Sequence, residues 1–267
     1  MTAERRAPRA LDYPVAPASL PDTTVEAGRY RVRFARTSED LDRILQLRFT
    51  VFNLELGEGL DLAYVTGRDE DDFDARFHHL MIESRDGGEV VGTYRMQTAA
   101  MAQAHGGFYS ADEFDLSGVP ADVLSRSVEL GRACVAREHR NGRVLNLLWR
   151  GLAAYLIWNR HTCLFGCCSL TSQDPRLGRA VMTRLEQEGR VDPRVRVVPL
   201  PHTTCDGADD AGPAPDPHIP ALFQSYLNLG ATVWGPPAID RLFKTIDFIV
   251  GLDVTTVDPS VVRTFFR

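Results

Sequence analysis

The chain has 267 residues, of which 44% are hydrophobic and 25% charged, so its composition is that of a globular protein able to bury a sizeable core. Its formal net charge is −6 at pH 7, which argues against nucleic acid as a partner. The sequence shows neither the pattern of a signal peptide nor an apolar run long enough to span a membrane, so we expect a cytoplasmic protein. The five cysteines lack the paired spacing of zinc ligands, which predicts free thiols and no metal site.

The N-terminal part of the chain divides into a leader and the start of a domain. Residues 1–29 contain four prolines and few periodic apolar residues, which predicts a flexible leader. The remaining residues, 30–267, are expected to form one domain. Alternating apolar residues predict a first strand over residues 30–36. Thr37 or Ser38 then caps a helix whose first turn is acidic.

A long acidic connection follows this helix over residues 53–77. Long connections inside a compact domain are often functional. Its aspartates, Asp71, Asp72 and Asp74, are candidates to receive a cationic amine, although a solvated loop is the alternative interpretation. Two strands over residues 79–84 and 89–98 are then expected, joined by a hairpin turn at Asp86-Gly-Gly88. Residues 99–126 are interpreted as an insertion.

The central stretch of the chain is predicted to be strand, loop and helix. The strand is Ser127–Val135, the loop carries Arg137, Arg140 and Arg143 around Gly142, and an apolar stripe of period 3.6 continues to Asn159. A loop that leads into a helix N-terminus binds anions well, and arginines add charge-assisted contacts to phosphate. The stretch therefore predicts a phosphate site beside a carboxylate, Glu129.

The C-terminal part of the chain adds further alternating elements. Strands are expected at 164–169, 194–199, 231–234 and 248–254, and helices at 175–188, 221–229 and 259–267. Residues 201–220 contain five prolines and predict a flexible loop. The order of elements indicates a mixed α/β fold with a central sheet, and not a doubly wound dinucleotide-binding fold.

This order, with the motif Arg137-x-x-Arg140-x-Gly142-Arg143 after the fourth strand, resembles the Gcn5-related N-acyltransferase superfamily. Further segments resemble the ornithine lipid synthase N-acyltransferases within it over residues 30–267, outside the leader and the proline-rich loop. These segments are Leu47-Arg-Phe-Thr-Val-Phe52, Asp71-Asp-Phe-Asp74, His79-Leu80, Val91-Gly-Thr-Tyr-Arg95, Phe108-Tyr-Ser110, Glu113-Phe-Asp-Leu116, Val128-Glu-Leu-Gly-Arg132, Leu164-Phe-Gly166 and Leu229-Gly-Ala231. The resemblance implies a central, mixed, mostly antiparallel sheet flanked by helices.

The resemblance also implies a reaction. Such enzymes transfer a 3-hydroxyacyl chain from the phosphopantetheine thioester of acyl carrier protein to the α-amine of ornithine, which gives a lyso-ornithine lipid in the first step of ornithine lipid synthesis. No separate cofactor is then needed, and peripheral contact with the inner membrane is expected because the product is a lipid. The Glu129-x-x-Arg132 strand and the aspartates at 71–74 also resemble acyl-homoserine-lactone synthases and N-acyl amino acid synthases. These activities and a non-catalytic carrier-protein-binding module stay open as alternatives.

Residue roles follow from this reaction. Glu129 is expected to act as the base that frees the amine, with a purely structural pairing to Arg132 as its alternative. Arg132 is expected to fix that carboxylate or to bind the carboxylate of the substrate. A backbone N–H near Cys134 or Val135 is expected to polarise the thioester carbonyl. The interpretation of Cys134 as a nucleophile is weaker than that of a core residue.

Donor and acceptor are assigned to separate parts of the chain. The acceptor is expected to contact Asp71, Asp74 and Arg95. Donor phosphopantetheine is expected at the end of the central strand and in the loop after it, and the arginines there are expected to dock the acidic carrier protein. The residues assigned to the donor are Cys134, Val135, Arg137, Arg140, Asn141, Gly142 and Arg143.

Overall fold

The computed structural model describes residues 13–206 and 215–259. The helices are α1 (Ser38–Arg48), which continues as a π-helical segment (Phe49–Glu55), α2 (Ala63–Thr66), α3 (Ala99–Ala104), α4 (Ala121–Ser125), α5 (Gly142–Asn159), α6 (Pro175–Gln187) and α7 (Ala221–Asn228). The strands are β1 (Val25–Ala27), β2 (Tyr30–Phe34), β3 (His78–Ser84), β4 (Val90–Thr98), β5 (Phe114–Asp115), β6 (Ser127–Val135), β7 (Cys163–Leu170), β8 (Val198–Pro199), β9 (Thr232–Val233), β10 (Ala238–Asp240) and β11 (Thr245–Asp253).

Most of these strands belong to one sheet. Within the described part of the chain it has nine strands in the order β1-β2-β3-β4-β6-β7-β11-β10, and β9 also pairs with β11. Neighbours are antiparallel except for β6 and β7, which are parallel. β5 and β8 form a separate two-stranded sheet. The predicted mixed, mostly antiparallel sheet flanked by helices is confirmed.

Helices cover both faces of the sheet because each has one apolar stripe. α5 buries Val144, Leu148 and Leu152 in a large core with α6 and α7. On the opposite face, α1 and the π-helical segment bury Ile44 and Val51 in a second core. The two faces are called here the α5 face and the α1 face.

Local capping fixes where the helices begin. The Thr37 side chain accepts a hydrogen bond from the backbone N–H of Asp40 at the start of α1, as its sequence predicts. Asp174 caps α6, with Pro175 in the first turn. Among the described residues, no helix combines the length and hydropathy needed to cross a bilayer.

The strands β6 and β7 separate part of the way along their length. They pair from Ser127 with Cys163 to Leu130 with Gly166, and no pairing continues beyond that point in the described structure. A Cβ on Gly166 would lie 2.2 Å from the carbonyl oxygen of Leu130, so glycine lets the strands touch at their last paired position. Beyond it, a gap opens between the two strands.

A bulge in β6 lies at this gap. Gly131 is opposite Arg95 and Cys134 is opposite Thr93, so β6 has one more residue than β4 over this stretch. Arg132, within the bulge, has φ 49°, a left-handed conformation that is uncommon outside glycine. The bulge therefore redirects the Arg132 side chain out of the regular alternation of the strand.

The prediction of a flexible leader is wrong for residues 13–29. Leu20 is buried in the core, and β1 pairs with β2. The carbonyl groups of Ala18 and Ser19 accept hydrogen bonds from Trp158 and Asn159 at the end of α5. The prolines interrupt regular secondary structure in this segment, but buried side chains such as Leu20 pack it against the rest of the domain. Residues 1–12 lie outside the described residues.

Other predicted boundaries differ from the structure. The strand predicted over 194–199 is limited to Val198–Pro199, which pairs with β5, and β11 begins at Thr245 instead of residue 248. The strand β10 was missed because it has three residues and no clear alternation. The insertion at 99–126 contains α3, β5 and α4. Residues 207–214 of the proline-rich loop and 260–267 of the predicted last helix lie outside the described residues.

Candidate active site

A cavity of about 300 Å³ occupies the gap between β6 and β7. Part of its wall is polar and comes from Glu58, Tyr109, Arg132, Cys167, Ser169, Thr171 and Asp247. Another part is apolar or aromatic and includes Trp149, Leu164, Phe223, Tyr226, Val250 and Leu252. The polar and the apolar residues lie on opposite faces of the sheet.

The cavity passes through the sheet from one face to the other. Strand side chains alternate between faces, so Asp247 and Val250 of β11 point to opposite sides. Val250 belongs to the core of the α5 face, together with Trp149. Asp247 and Arg132 are on the α1 face, where Arg132 packs against Phe243. The gap thus joins an apolar chamber on the α5 face to a polar chamber on the α1 face.

Arg132 is fixed in the polar chamber by charge and by aromatic rings. Its guanidinium is 3.1 Å from Asp71 and 3.5 Å from Asp69. It also lies 4.0 Å from the ring centroid of Phe243 and 5.3 Å from that of Tyr109, which is cation–π geometry. These contacts hold an arginine on the cavity wall, where it can meet an anionic group of a ligand.

Two further arginines complete a buried ionic network beside this chamber. Arg48 contacts Asp69 and Asp74, both at 2.5 Å. Arg95 contacts Asp71 at 2.6 Å and Asp74 at 3.0 Å. With Arg132, the network has three arginines and three aspartates, so its formal charges balance. Each of these buried charges has an opposite partner, so removing one of them would leave an uncompensated buried charge.

The predicted acceptor residues therefore have partners within the protein. Burial alone would raise the pKa of Asp74, but Arg48 and Arg95 hold it well below its ordinary value. Asp74 and Arg95 are each 1% exposed, and neither lines the cavity. Asp71, which is less buried, shares its carboxylate between Arg95 and Arg132. An ornithine ammonium group would have to displace these arginines to reach the aspartates.

Glu129 is also buried, and its oxygens are occupied. Oε2 accepts hydrogen bonds from Gln97 Nε2 at 2.7 Å and from the N–H of Tyr109 at 2.9 Å. Oε1 accepts hydrogen bonds from the N–H of Ser110 at 2.8 Å and from its hydroxyl group. Burial raises the pKa of Glu129 despite these bonds. In the described part of the chain, Glu129 neither pairs with Arg132, the alternative role, nor lines the cavity. It instead anchors the turn that carries Tyr109.

Two carboxylates that the sequence-based prediction missed do line the cavity. Glu58 is 6% exposed and accepts a hydrogen bond from the Thr171 hydroxyl, and burial raises its pKa. Asp247 is 3% exposed, and burial, reinforced by the charge of Asp240, raises its pKa to about 6. A lone acid within the apolar run of β11 was the sequence signal that could have revealed Asp247.

The predicted donor loop lies at the N-terminus of α5, beside the far end of β6. Asn141 caps α5 by accepting hydrogen bonds from the N–H groups of Arg143 and Val144, so these two donors are already used. Arg140 forms a bidentate pair with Glu55, and Arg137 lies 3.4 Å from the same carboxylate. Gly142 and Arg143 are exposed. The loop thus presents an exposed cationic surface whose Arg140 is held by Glu55.

Cys134 and Val135 do not line the cavity in the described structure. Cys134 is packed in the core of the α1 face, and burial raises the pKa of its thiol to about 12, which makes it a poor nucleophile. Gly131, Arg132 and Ala133 form the wall instead. Because β7 no longer pairs with this stretch, backbone groups on that edge face the gap and can polarise a thioester carbonyl.

Comparison with known proteins agrees with this architecture. The model of the acetyltransferase (GNAT) domain matches residues 47–150. The L-ornithine N(alpha)-acyltransferase of Agrobacterium fabrum is 31% identical over 244 residues, which are 86% of this chain and 83% of that protein. That of Brucella abortus is 31% identical over 252 residues, 89% of each chain.

A solved structure of FeeM, an N-acyl amino acid synthase from uncultured soil microbes, aligns with 9% identity and a TM-score of 0.49, covering 86% of this chain and 95% of that one. The identity and coverage of the two bacterial relatives, together with the GNAT match, decide the family. This chain is an N-acyltransferase with a GNAT domain and belongs to the L-ornithine N(alpha)-acyltransferase family.

Proposed function

We propose that this protein transfers a 3-hydroxyacyl chain from acyl carrier protein to the α-amine of ornithine, which gives a lyso-ornithine lipid. The observation that carries the proposal is the cavity through the sheet, with an apolar chamber for the acyl chain and a polar chamber for an amino acid. The names of the Agrobacterium fabrum and Brucella abortus relatives support ornithine as the acceptor. The thioester would lie in the gap where the chambers meet.

The polar chamber offers the groups that the acceptor needs. Arg132 pairs with the α-carboxylate of the amino acid, since a guanidinium binds a carboxylate through two parallel hydrogen bonds. Glu58 takes a proton from the α-ammonium group, because it lines the cavity, has a single hydroxyl partner in Thr171, and has a pKa that burial raises. Glu129 acts indirectly. It positions Tyr109, whose hydroxyl group lies 3.4 Å from Arg132.

The bonds and protons of the proposed acyl transfer balance as follows. The neutral α-amine attacks the thioester carbonyl, and backbone N–H groups of the β6 bulge stabilise the oxyanion. The carbon–nitrogen bond forms and the carbon–sulfur bond breaks. The pantetheine thiolate takes up one proton, and the second proton that the ammonium group loses is released to solvent. No redox partner or metal enters this reaction.

The donor is proposed to arrive on acyl carrier protein. Exposed Arg137, Arg140 and Arg143 at the start of α5 suit an acidic carrier and the phosphate of its pantetheine arm. Arg140 would exchange its partner Glu55 for that phosphate or for a carrier carboxylate. The pantetheine arm would then run along the unpaired edge of β6 into the gap.

A lipid product suggests peripheral contact with a membrane, and one surface suits it. Leu62, Tyr64 and Val65 of the α2 region are exposed, as are Leu54 and Leu242 nearby. Lys244 pairs with Asp61, which joins the segments around Leu242 and Leu62 into one patch. Leu56 is also exposed and lines the cavity, so the patch extends to the cavity wall. Apolar patches of this kind mark interaction surfaces, here proposed to face lipid.

The activity is tested with purified protein, 3-hydroxyacyl–acyl carrier protein and ornithine, followed by mass spectrometry of the product. Nα-acylated ornithine is expected. S-adenosylmethionine replaces ornithine in a parallel reaction, because an acyl-homoserine lactone there would support the alternative synthase. Carrier-protein binding without any acylated product would make the chain a binding module and would contradict the proposal.

A further inference from the structure

We propose that Asp247 and Glu113 form a binding site for the side-chain ammonium group of the acceptor, at the floor of the polar chamber. The inference deepens the proposed function and rests on it, since the acceptor must occupy this chamber. It assigns selectivity for a cationic amino acid to residues distinct from the aspartates at 71–74. The structure supports it through geometry, unsatisfied oxygens and charge.

The two carboxylates converge on one point. An oxygen of Glu113, an oxygen of Asp247 and the sulfur of Cys167 all lie within 4.8 Å of one another. Glu113 follows the turn at 109–112, and its carbonyl group accepts hydrogen bonds from Leu200 and Thr203, which fixes its backbone. Asp247 comes from β11, in the main sheet. The site is thus built from two segments that are far apart in the chain.

Both carboxylates have an oxygen without a donor. Asp247 Oδ1 and Glu113 Oε2 have no hydrogen-bond partner among the described residues, although Asp247 is 3% and Glu113 5% exposed. A buried oxygen left in this state is costly, because it has lost its hydrogen bonds to water and gained none in the protein. Asp247 lines the cavity, so a ligand there can supply the missing donor. Glu113 is not among the described residues that line the cavity, but its carboxylate lies within 4.8 Å of that of Asp247, so one ammonium group with three donors could reach both.

The charge of the site suits a single cation. Burial and the nearby carboxylates raise the pKa of both Glu113 and Asp247, because two buried acids close together disfavour each other's ionised forms. Asp240 is close but is occupied by the N–H groups of Leu242 and Phe243. An ammonium group beside the two carboxyl groups would favour their ionised forms.

The same chamber explains why the ligand is a diamino acid. Arg132 and Glu58 line the chamber and can hold the α-carboxylate and the α-ammonium group, while Asp247 holds a second cation. A divalent metal ion is the competing occupant. It is less suited, because magnesium and calcium take six or more oxygen ligands, and burial keeps the Cys167 thiol protonated, whereas zinc needs a thiolate.

The test compares ornithine with norvaline, which has the same carbon chain without the side-chain amine. Turnover is measured for the full-length protein and for Asp247→Asn, with acyl–acyl carrier protein as donor. We expect the wild type to prefer ornithine, and Asp247→Asn to raise the KM for ornithine at least about 100-fold while norvaline changes less than about threefold. Glu113→Gln should shift the preference in the same direction.

Asp253→Asn is the matched control, since Asp253 lies on the same strand but pairs with Arg126 away from the chamber. It should keep the preference for ornithine. Equal losses for both substrates in Asp247→Asn would overturn the inference, as would a preference that disappears with a chelator and returns with zinc. A wild type that acylates neither ornithine nor norvaline would instead overturn the proposed function together with this site.

Discussion

At the scale of single residues, Glu58 and Glu129 are both buried acids close to the gap, but their surroundings differ. Glu58 lines the cavity and has one hydroxyl partner, whereas Glu129 accepts four hydrogen bonds within the protein. We predict that Glu58→Gln lowers kcat by about 10²–10⁴, the usual contribution of a general base, without loss of stability. The measurement is steady-state turnover with chemical denaturation of the same variant.

Glu129→Gln is the companion variant in that experiment. The NH2 group of a glutamine would face the N–H of either Tyr109 or Ser110, so we predict a loss of about 1–3 kcal/mol in the free energy of unfolding. If Glu129→Gln abolishes turnover while unfolding is unchanged, and Glu58→Gln remains active, Glu129 is the base that the sequence suggested.

The raised pKa of Asp247 predicts how the stability of the protein depends on pH. In an unfolded chain it loses its proton near pH 3.8, but in the folded protein only near pH 6. Between these values the folded protein holds a proton that the unfolded chain has lost, so this group lowers stability as pH rises through the window, by about 3 kcal/mol in full. Asparagine removes this penalty.

We therefore predict that the stability advantage of Asp247→Asn over the wild type is small at about pH 4 and grows to about 2–3 kcal/mol at about pH 7. Urea unfolding at several pH values measures the difference. An advantage that stays constant with pH would show that Asp247 is not a buried carboxyl group with a raised pKa. A gain in stability from removing a binding-site charge is typical of functional residues.

At the scale of elements, the ionic network fixes α1 to the acidic connection. Arg48→Ala would leave Asp69 and Asp74 buried with less compensation, so we predict a loss of about 3–5 kcal/mol in the free energy of unfolding. Arg184→Ala on α6 is the control: its exposed pair with Glu188 should be worth less than about 1 kcal/mol. Equal effects in the two variants would mean that the buried network contributes no more than a surface pair.

Secondary-structure elements could be predicted from the sequence, whereas contacts between distant residues could not. The stripe of α5 and the cap of α1 depend on residues a few positions apart, so their patterns predict the elements directly. Asp247 and Glu113 are far apart in the chain, and only the folded sheet places them together. The role of Glu129 could not be predicted either, because its partners come from the turn at 109–112 and from Gln97 on β4. The bulge at Arg132 has no local signal, since its residue is not glycine.

At the scale of the whole molecule, the proposed contact between the apolar patch around α2 and lipid gives a further prediction. Val65→Glu should reduce its recovery with vesicles in a flotation assay, while turnover with a short, soluble acyl donor stays within about twofold, because Val65 does not line the cavity. Val198→Glu, on an exposed strand elsewhere, is the control. Unchanged flotation of Val65→Glu would remove the patch from the proposal.

The division of the cavity between the two faces of the sheet is the basis of the proposed reaction. It is tested most directly by a crystal structure with ornithine and a non-reactive acyl-pantetheine analogue. We predict the acyl chain beside Trp149 and Tyr226 on the α5 face, and ornithine between Arg132 and Asp247 on the α1 face. Ornithine bound to Asp71 and Asp74 instead, or both ligands on one face of the sheet, would contradict it.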